Sequence, residues 1–154
     1  MQRPYARIEI SIARQELALI RDESTAVSYP VSTSKFGLGT EEGSNKTPLG
    51  SFQVLEKIGD GEPLGTIFES RVPTGVWDSS MVVDADLVLT RILWLDGLEP
   101  ENANTHDRYI YIHGTNQEQR IGEAASYGCI RMKNVDVIEL FDLTPSGTAV
   151  FIES

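Results

Sequence analysis

Cys129 is the one cysteine of the 154-residue chain, and it lies sixteen positions after His113. A thiol and an imidazole make a nucleophile and its base, provided the fold brings them within hydrogen-bond reach. A lone cysteine is by itself more often a small buried hydrophobe, so its neighbours decide the reading. Gly128 removes a side chain beside the sulfur, which lets a carbonyl approach the backbone N–H groups of Gly128 and Cys129, as an oxyanion site requires. Ser126 and Asn134 bracket the thiol with polar groups able to hold a turn. Arg131 adds a fork of donors suited to a carboxylate, with a structural ion pair as its other use.

These groups need a scaffold. Ile8, Ile10 and Ile12 alternate with polar residues, and Glu16 to Ile20 and Thr25 to Val31 follow after polar turns, which predicts an antiparallel meander. Ser51 to Ile58 and Thr66 to Val72 read as further strands, with Trp77 in a loop from Pro73 to Ser80. Leu87 to Leu95 is apolar on both faces, as a strand covered on both sides would be. Tyr109, Tyr111 and His113 share one face of the strand from Arg108, and Gly114 ends it beside an open loop. Asn134 reads as the N-cap of a helix from Val135 to Leu143 with Val137, Leu140 and Phe141 buried, and Thr148 to Ile152 as a last strand. The expectation is one mainly β domain over 1–154, two packed sheets with one short helix pinning the Cys129 segment.

Composition removes several classes of function. A net charge of −10 opposes nucleic-acid binding, and no stretch is long and apolar enough for a membrane span. One cysteine excludes an internal disulfide and leaves a redox thiol without a resolving partner. A papain-like hydrolase places its cysteine before its histidine, opposite to the order here. No metal is expected, because His106, His113 and Cys129 match no usual zinc spacing and His106 reads as a surface-loop residue. The loop 32–46, with Gly37, Gly39 and Gly43, is long for a compact domain, and such loops are often functional.

His113-Gly114, then Ser126-Tyr127-Gly128-Cys129-Ile130-Arg131-Met132 and Asn134, together strongly resemble the catalytic signature of the L,D-transpeptidase family, also called the YkuD domain. Thr47-Pro48-Leu49-Gly50 looks like its earlier block and Gly147 fits its end, so the resemblance runs from about Ile8 to Ile152. It implies a β-sandwich of two mixed sheets, a Cys129 nucleophile, a His113 base and a main-chain carbonyl at Gly114 that orients the imidazole. It implies no cofactor. The implied substrate is a peptidoglycan stem peptide or muropeptide, attacked at the bond between its diamino acid and D-alanine. An amine acceptor gives L,D-transpeptidation, and water gives L,D-carboxypeptidase action.

Tyr127 departs from the commonest family pattern, which carries a second histidine there, and the difference bears on substrate shaping. Ser126, Tyr127 and Arg131 are the expected substrate contacts, with Arg108, Arg120 and Lys133 as weaker cationic candidates. As the chain stands it lacks the apolar core of a secretory leader and reads as cytoplasmic. Wall-linking members of the family work outside, so a cell-envelope address with a leader removed is the other expectation. A non-catalytic wall-binding module is the rival function; it would keep the fold without needing the thiol.

Overall fold

The computed structural model describes residues 6–81 and 83–154, so the first five residues of the expected leaderless N-terminus lie outside it. Strands β1 (Ala6–Ser11), β2 (Glu16–Arg21) and β3 (Ser24–Ser32) form the predicted meander. Its second turn is the pair Asp22 and Glu23, both at positive φ, the backbone that matches strand twist in a two-residue connection. The chain continues through β4 (Gly50–Ile58), β5 (Thr66–Glu69), β6 (Val72–Val76), β7 (Val88–Gly97), β8 (Tyr111–Gly114) and β9 (Ile130–Met132). Helix α1 (Asn134–Leu143) and strand β10 (Ala149–Glu153) complete it.

Among the described residues ten strands make one sheet, ordered β4-β10-β1-β2-β3-β9-β8-β7-β5-β6, and β4 also pairs with β7. That last pairing closes the sheet into a barrel, where the sequence led to a sandwich of two sheets. The reason lies in β7. Along one edge it bonds β8; along the other its first residues bond β5 and its later ones, from Ile92, bond β4. The switch falls at Thr90 and Arg91, where the register shifts and Thr90 takes φ 77°. Alternation in a sequence specifies the buried face of a strand but not which strands meet its edges.

The core lies on the inner face of the barrel. Ile8, Ile10, Leu17, Val31, Phe52, Leu93, Ile112, Ile130 and Val150 are fully buried there, and α1 adds Val137, Leu140 and Phe141 as predicted. The strand read as covered on both sides is so: Leu89 to Leu95 are all buried. Thr66 to Val72, read as one strand, is instead a hairpin of β5 and β6, and half-buried Trp77 follows it, bonded through its amide to Gly65 O at 2.8 Å.

Candidate active site

Strands β8 and β9 run parallel, with Ile112 opposite Ile130 and His113 opposite Arg131. Alternation sends the two isoleucines into the core and leaves Tyr111, His113, Arg131 and, one residue before β9, Cys129 on the other face. Ile92 and Trp94 of β7, the partners of His113 and Tyr111, extend that face. The imidazole and the thiol are therefore diagonal neighbours on one side of adjacent strands.

The sulfur is held by backbone. Cys129 Sγ accepts from the Tyr111 N–H and donates to the Tyr109 carbonyl, each at 3.3 Å, and no hydrogen bond joins it to His113 among the described residues. His113 Nδ1 lies 2.5 Å from Gly114 O. A carbonyl only accepts, so Nδ1 carries the proton and Nε2 keeps a free lone pair. Burial holds His113 below its ordinary pKa, against opposing contributions from Asp86 and the Gly114 carbonyl and with the help of Arg131. Burial likewise pushes the Cys129 thiol up to about 11, aided by Asp86 and opposed by the Tyr111 N–H, Arg131 and Arg108. The resting pair is a neutral thiol beside a neutral imidazole.

The turn carrying Cys129 is built by Ser126 and Thr47. Ser126 Oγ donates to Cys129 O at 2.6 Å and accepts from the Gly128 N–H at 3.3 Å. Gly128 O accepts from Thr47 Oγ1 at 3.0 Å, and Ser34 N–H donates to the same hydroxyl. Gly128 itself has φ 122°, open only to glycine, and a Cβ there would sit 3.3 Å from Lys46 O. Of the two amides expected to hold an oxyanion, that of Gly128 is turned to Ser126, while that of Cys129 has no partner among the described residues.

Asn134 is no N-cap. It is the first residue of α1, with Lys133 preceding it, and its side chain serves the loop instead. Its Nδ2 donates to Thr115 O and to Glu118 Oε2, each at 2.9 Å, and its Oδ1 accepts from Thr90 Oγ1 at 2.6 Å. Glu118 also accepts from the Asn134 N–H at 2.7 Å, a carboxylate where the helix dipole favours one. A Cβ on Gly114 would collide with Asn134 Oδ1, so only glycine leaves room for this asparagine beside His113.

A groove of about 280 Å³ opens over Cys129, lined by Glu42, Gly43 and Asn45 of the 32–46 loop, by residues 107–110 and by Tyr127. The long loop therefore borders the thiol. Tyr127 is half exposed at the rim, with Lys35 Nζ 3.3 Å from its hydroxyl and 4.7 Å from its ring centre, and Phe36 edge-on at 5.7 Å. Arg131, expected to meet substrate, is fully buried. Its Nη2 lies 2.9 Å from Asp86 Oδ2, an ion contact without hydrogen-bond alignment, and its Nη1 donates to Gln117 Oε1 at 3.1 Å. Strand position explains this: Arg131 stands opposite His113, beneath the loop that carries Asp86. Arg108 does line the groove, while Arg120 pairs with Glu123 and Lys133 is exposed beside α1, away from the lining.

Three residues of this face were missed, Trp94, Arg71 and Asp86, while Tyr111 lies on it as read from the alternation. Trp94 carries a stack with His106 at 3.9 Å and an edge contact with Tyr111 at 5.4 Å. His106, read as a plain surface residue, thus belongs to the aromatic wall, its Nε2 2.9 Å from Glu56. Period-two pairing of Leu87–Leu95 with the tyrosine face held the signal for Trp94. Asp86 and Arg71 lie in connections, where no periodicity exists to read.

The fold and this arrangement define a family. The model of the YkuD L,D-transpeptidase catalytic domain matches residues 5–152, and the chain belongs to that family. It is 39% identical over 149 residues to YqjB of Bacillus subtilis, assigned to the L,D-transpeptidases, covering 97% of this chain and 70% of that one. It is 30% identical to YkuD of the same organism, similarly assigned, covering 97% of this chain and 66% of the relative. Among solved structures, the L,D-transpeptidase from Xylanimonas cellulosilytica matches with a TM-score of 0.64 at 19% identity, covering 99% of this chain and 62% of that one. L,D-transpeptidase 3 from Mycobacterium tuberculosis gives 0.62 at 17%, covering 98% and 62%. The chain thus spans about two thirds of the length of the proteins it resembles.

Proposed function

We propose that this protein is a cysteine acyltransferase that acts on peptidoglycan stem peptides by L,D-transpeptidation. The observation that carries the reading is the placement of Cys129 and His113 on one face of paired strands, with Nε2 free and the groove open above the sulfur. In this mechanism Sγ leaves the Tyr109 carbonyl and turns its thiol proton toward Nε2. The imidazole takes its proton as sulfur attacks the carbonyl carbon of the diamino acid, and the Cys129 N–H receives the developing oxyanion. Imidazolium then gives that proton to the departing D-alanine nitrogen, leaving a thioester. An amine acceptor loses a proton to Nε2 as it attacks, and its new amide bond releases the thiol. Asp86 supports the imidazolium through space, and the Gly114 carbonyl orients it.

Water as acceptor would give L,D-carboxypeptidase action, and a groove open to solvent admits it. The test is mass spectrometry after incubation with purified disaccharide tetrapeptide, beside Cys129→Ala. A crosslinked dimer supports transpeptidation; loss of D-alanine alone supports hydrolysis; binding without turnover, unaffected by Cys129→Ala, supports a wall-binding module. A related L,D-transpeptidase has been solved in complex with imipenem, so a carbapenem adduct on Cys129 is an independent check.

A further inference from the structure

A second cation overhangs the aromatic face, and the chemistry above leaves it unused. Strands β5 and β6 turn on Ser70 and Arg71, at φ 49° and 67°, with Glu69 opposite Val72. Such a two-residue turn favours Asn-Gly, because side chains make the left-handed conformation costly. Arginine keeps the position here, and its side chain is laid back over the sheet. The guanidinium carbon is 4.8 Å from the Trp94 ring centre and 5.3 Å from that of Tyr109, and Nη1 donates to Tyr111 Oη at 3.1 Å. Tyr111 is the residue whose amide meets Cys129 Sγ, and Tyr109 lines the groove. The guanidinium and the sulfur are thus joined through one residue. Stacking fixes the fork in advance, while Nε and Nη2 make no hydrogen bond among the described residues.

We propose that Arg71 is a specificity-determining residue that binds a carboxylate of the acyl donor with the free edge of its guanidinium. The proposal rests on the stem-peptide reading. A chain of net charge −10 needs a local cation to hold an anionic donor. Arg131 is buried against Asp86, and Arg108 spends its two Nη groups on Gly39 O and Lys46 O. Lys35 remains as a competitor, seated on Tyr127. A strained turn that lays a preorganised charge on the aromatic residues leading to the nucleophile points to use in recognition.

Arg71→Gly is the informative change, since glycine relieves the turn and the variant keeps its fold. KM and kcat are measured with a tetrapeptide donor and with donors in which each carboxylate in turn is an amide. One of these amides raises the wild-type KM about tenfold, the size of a lost charged hydrogen bond. Arg71→Gly raises KM for the acid form by about the same factor, leaves kcat within about twofold and no longer distinguishes acid from amide. Its melting temperature and the alkylation rate of Cys129 stay at wild-type values. Discrimination retained in Arg71→Gly, or abolished by Lys35→Ala instead, overturns the assignment and leaves the transpeptidase reading standing. No turnover of any donor by wild type removes both.

Discussion

A thiol whose pKa stands near 11 does not ionise ahead of substrate, so its proton must leave as the carbonyl is attacked. Alkylation of Cys129 by a neutral reagent is therefore expected to accelerate steadily from pH 7 to pH 10; a plateau with its midpoint below about 8 would show a preformed thiolate instead. Thr47 acts at the same scale. Its hydroxyl holds the Gly128 carbonyl and accepts the Ser34 amide, both buried. Thr47→Val leaves two buried groups unpaired and should cost about 2–4 kcal/mol in urea denaturation, with kcat falling through a loosened Cys129 turn. The residue roles divide by how local their signals are. The shared face of His113 and Cys129 and the glycine-only turn at Gly128 were legible, because alternation and glycine can be read from neighbours alone. The fate of Arg131 was not, because its partner Asp86 lies 45 positions away in a connection.

Between elements, Asn134 ties the start of α1 to β7 through Thr90 and to the loop after β8 through Thr115 and Glu118. Asn134→Ala should cost about 2–4 kcal/mol by urea denaturation and lower kcat, since the loop after His113 loses its bonds through Thr115 and Glu118. Asn134→Asp keeps the shape but sets a carboxylate against Glu118. It should be the worse of the two above pH 6, and the gap should close when Glu118→Gln is added. The sequence showed that a polar residue mattered here but suggested a cap, because asparagine before an apolar run is an ordinary helix start. Glu118 supplied that capping charge from sixteen positions upstream, a tertiary contact invisible to local pattern. Most strand positions were readable from alternation. The β5–β6 turn was not, since Ser70-Arg71 lacks the glycine that usually marks one.

For the molecule as a whole, His113 links folding to acidity. Burial sets its folded pKa below the unfolded value near 6.5, so the unfolded chain binds the extra proton. The stability owed to neutral His113 is complete above about pH 6.5 and lost as pH falls below it. His113→Gln should flatten that part of the profile, measured as the urea midpoint from pH 7.5 to pH 5. Most strands and their buried faces were legible, apart from the β5–β6 hairpin and β9; closure was not, because β4 meets β7 through a partner switch at Thr90 that no alternation encodes. β10 follows every other strand in the chain yet bonds β4 on one edge and β1 on the other, the latter in parallel. During synthesis the earlier strands must therefore wait, with two hydrogen-bonding edges bare, until β10 leaves the ribosome. Maturation of this fold is a late, long-range event, and a chaperone that shelters those edges would raise its yield.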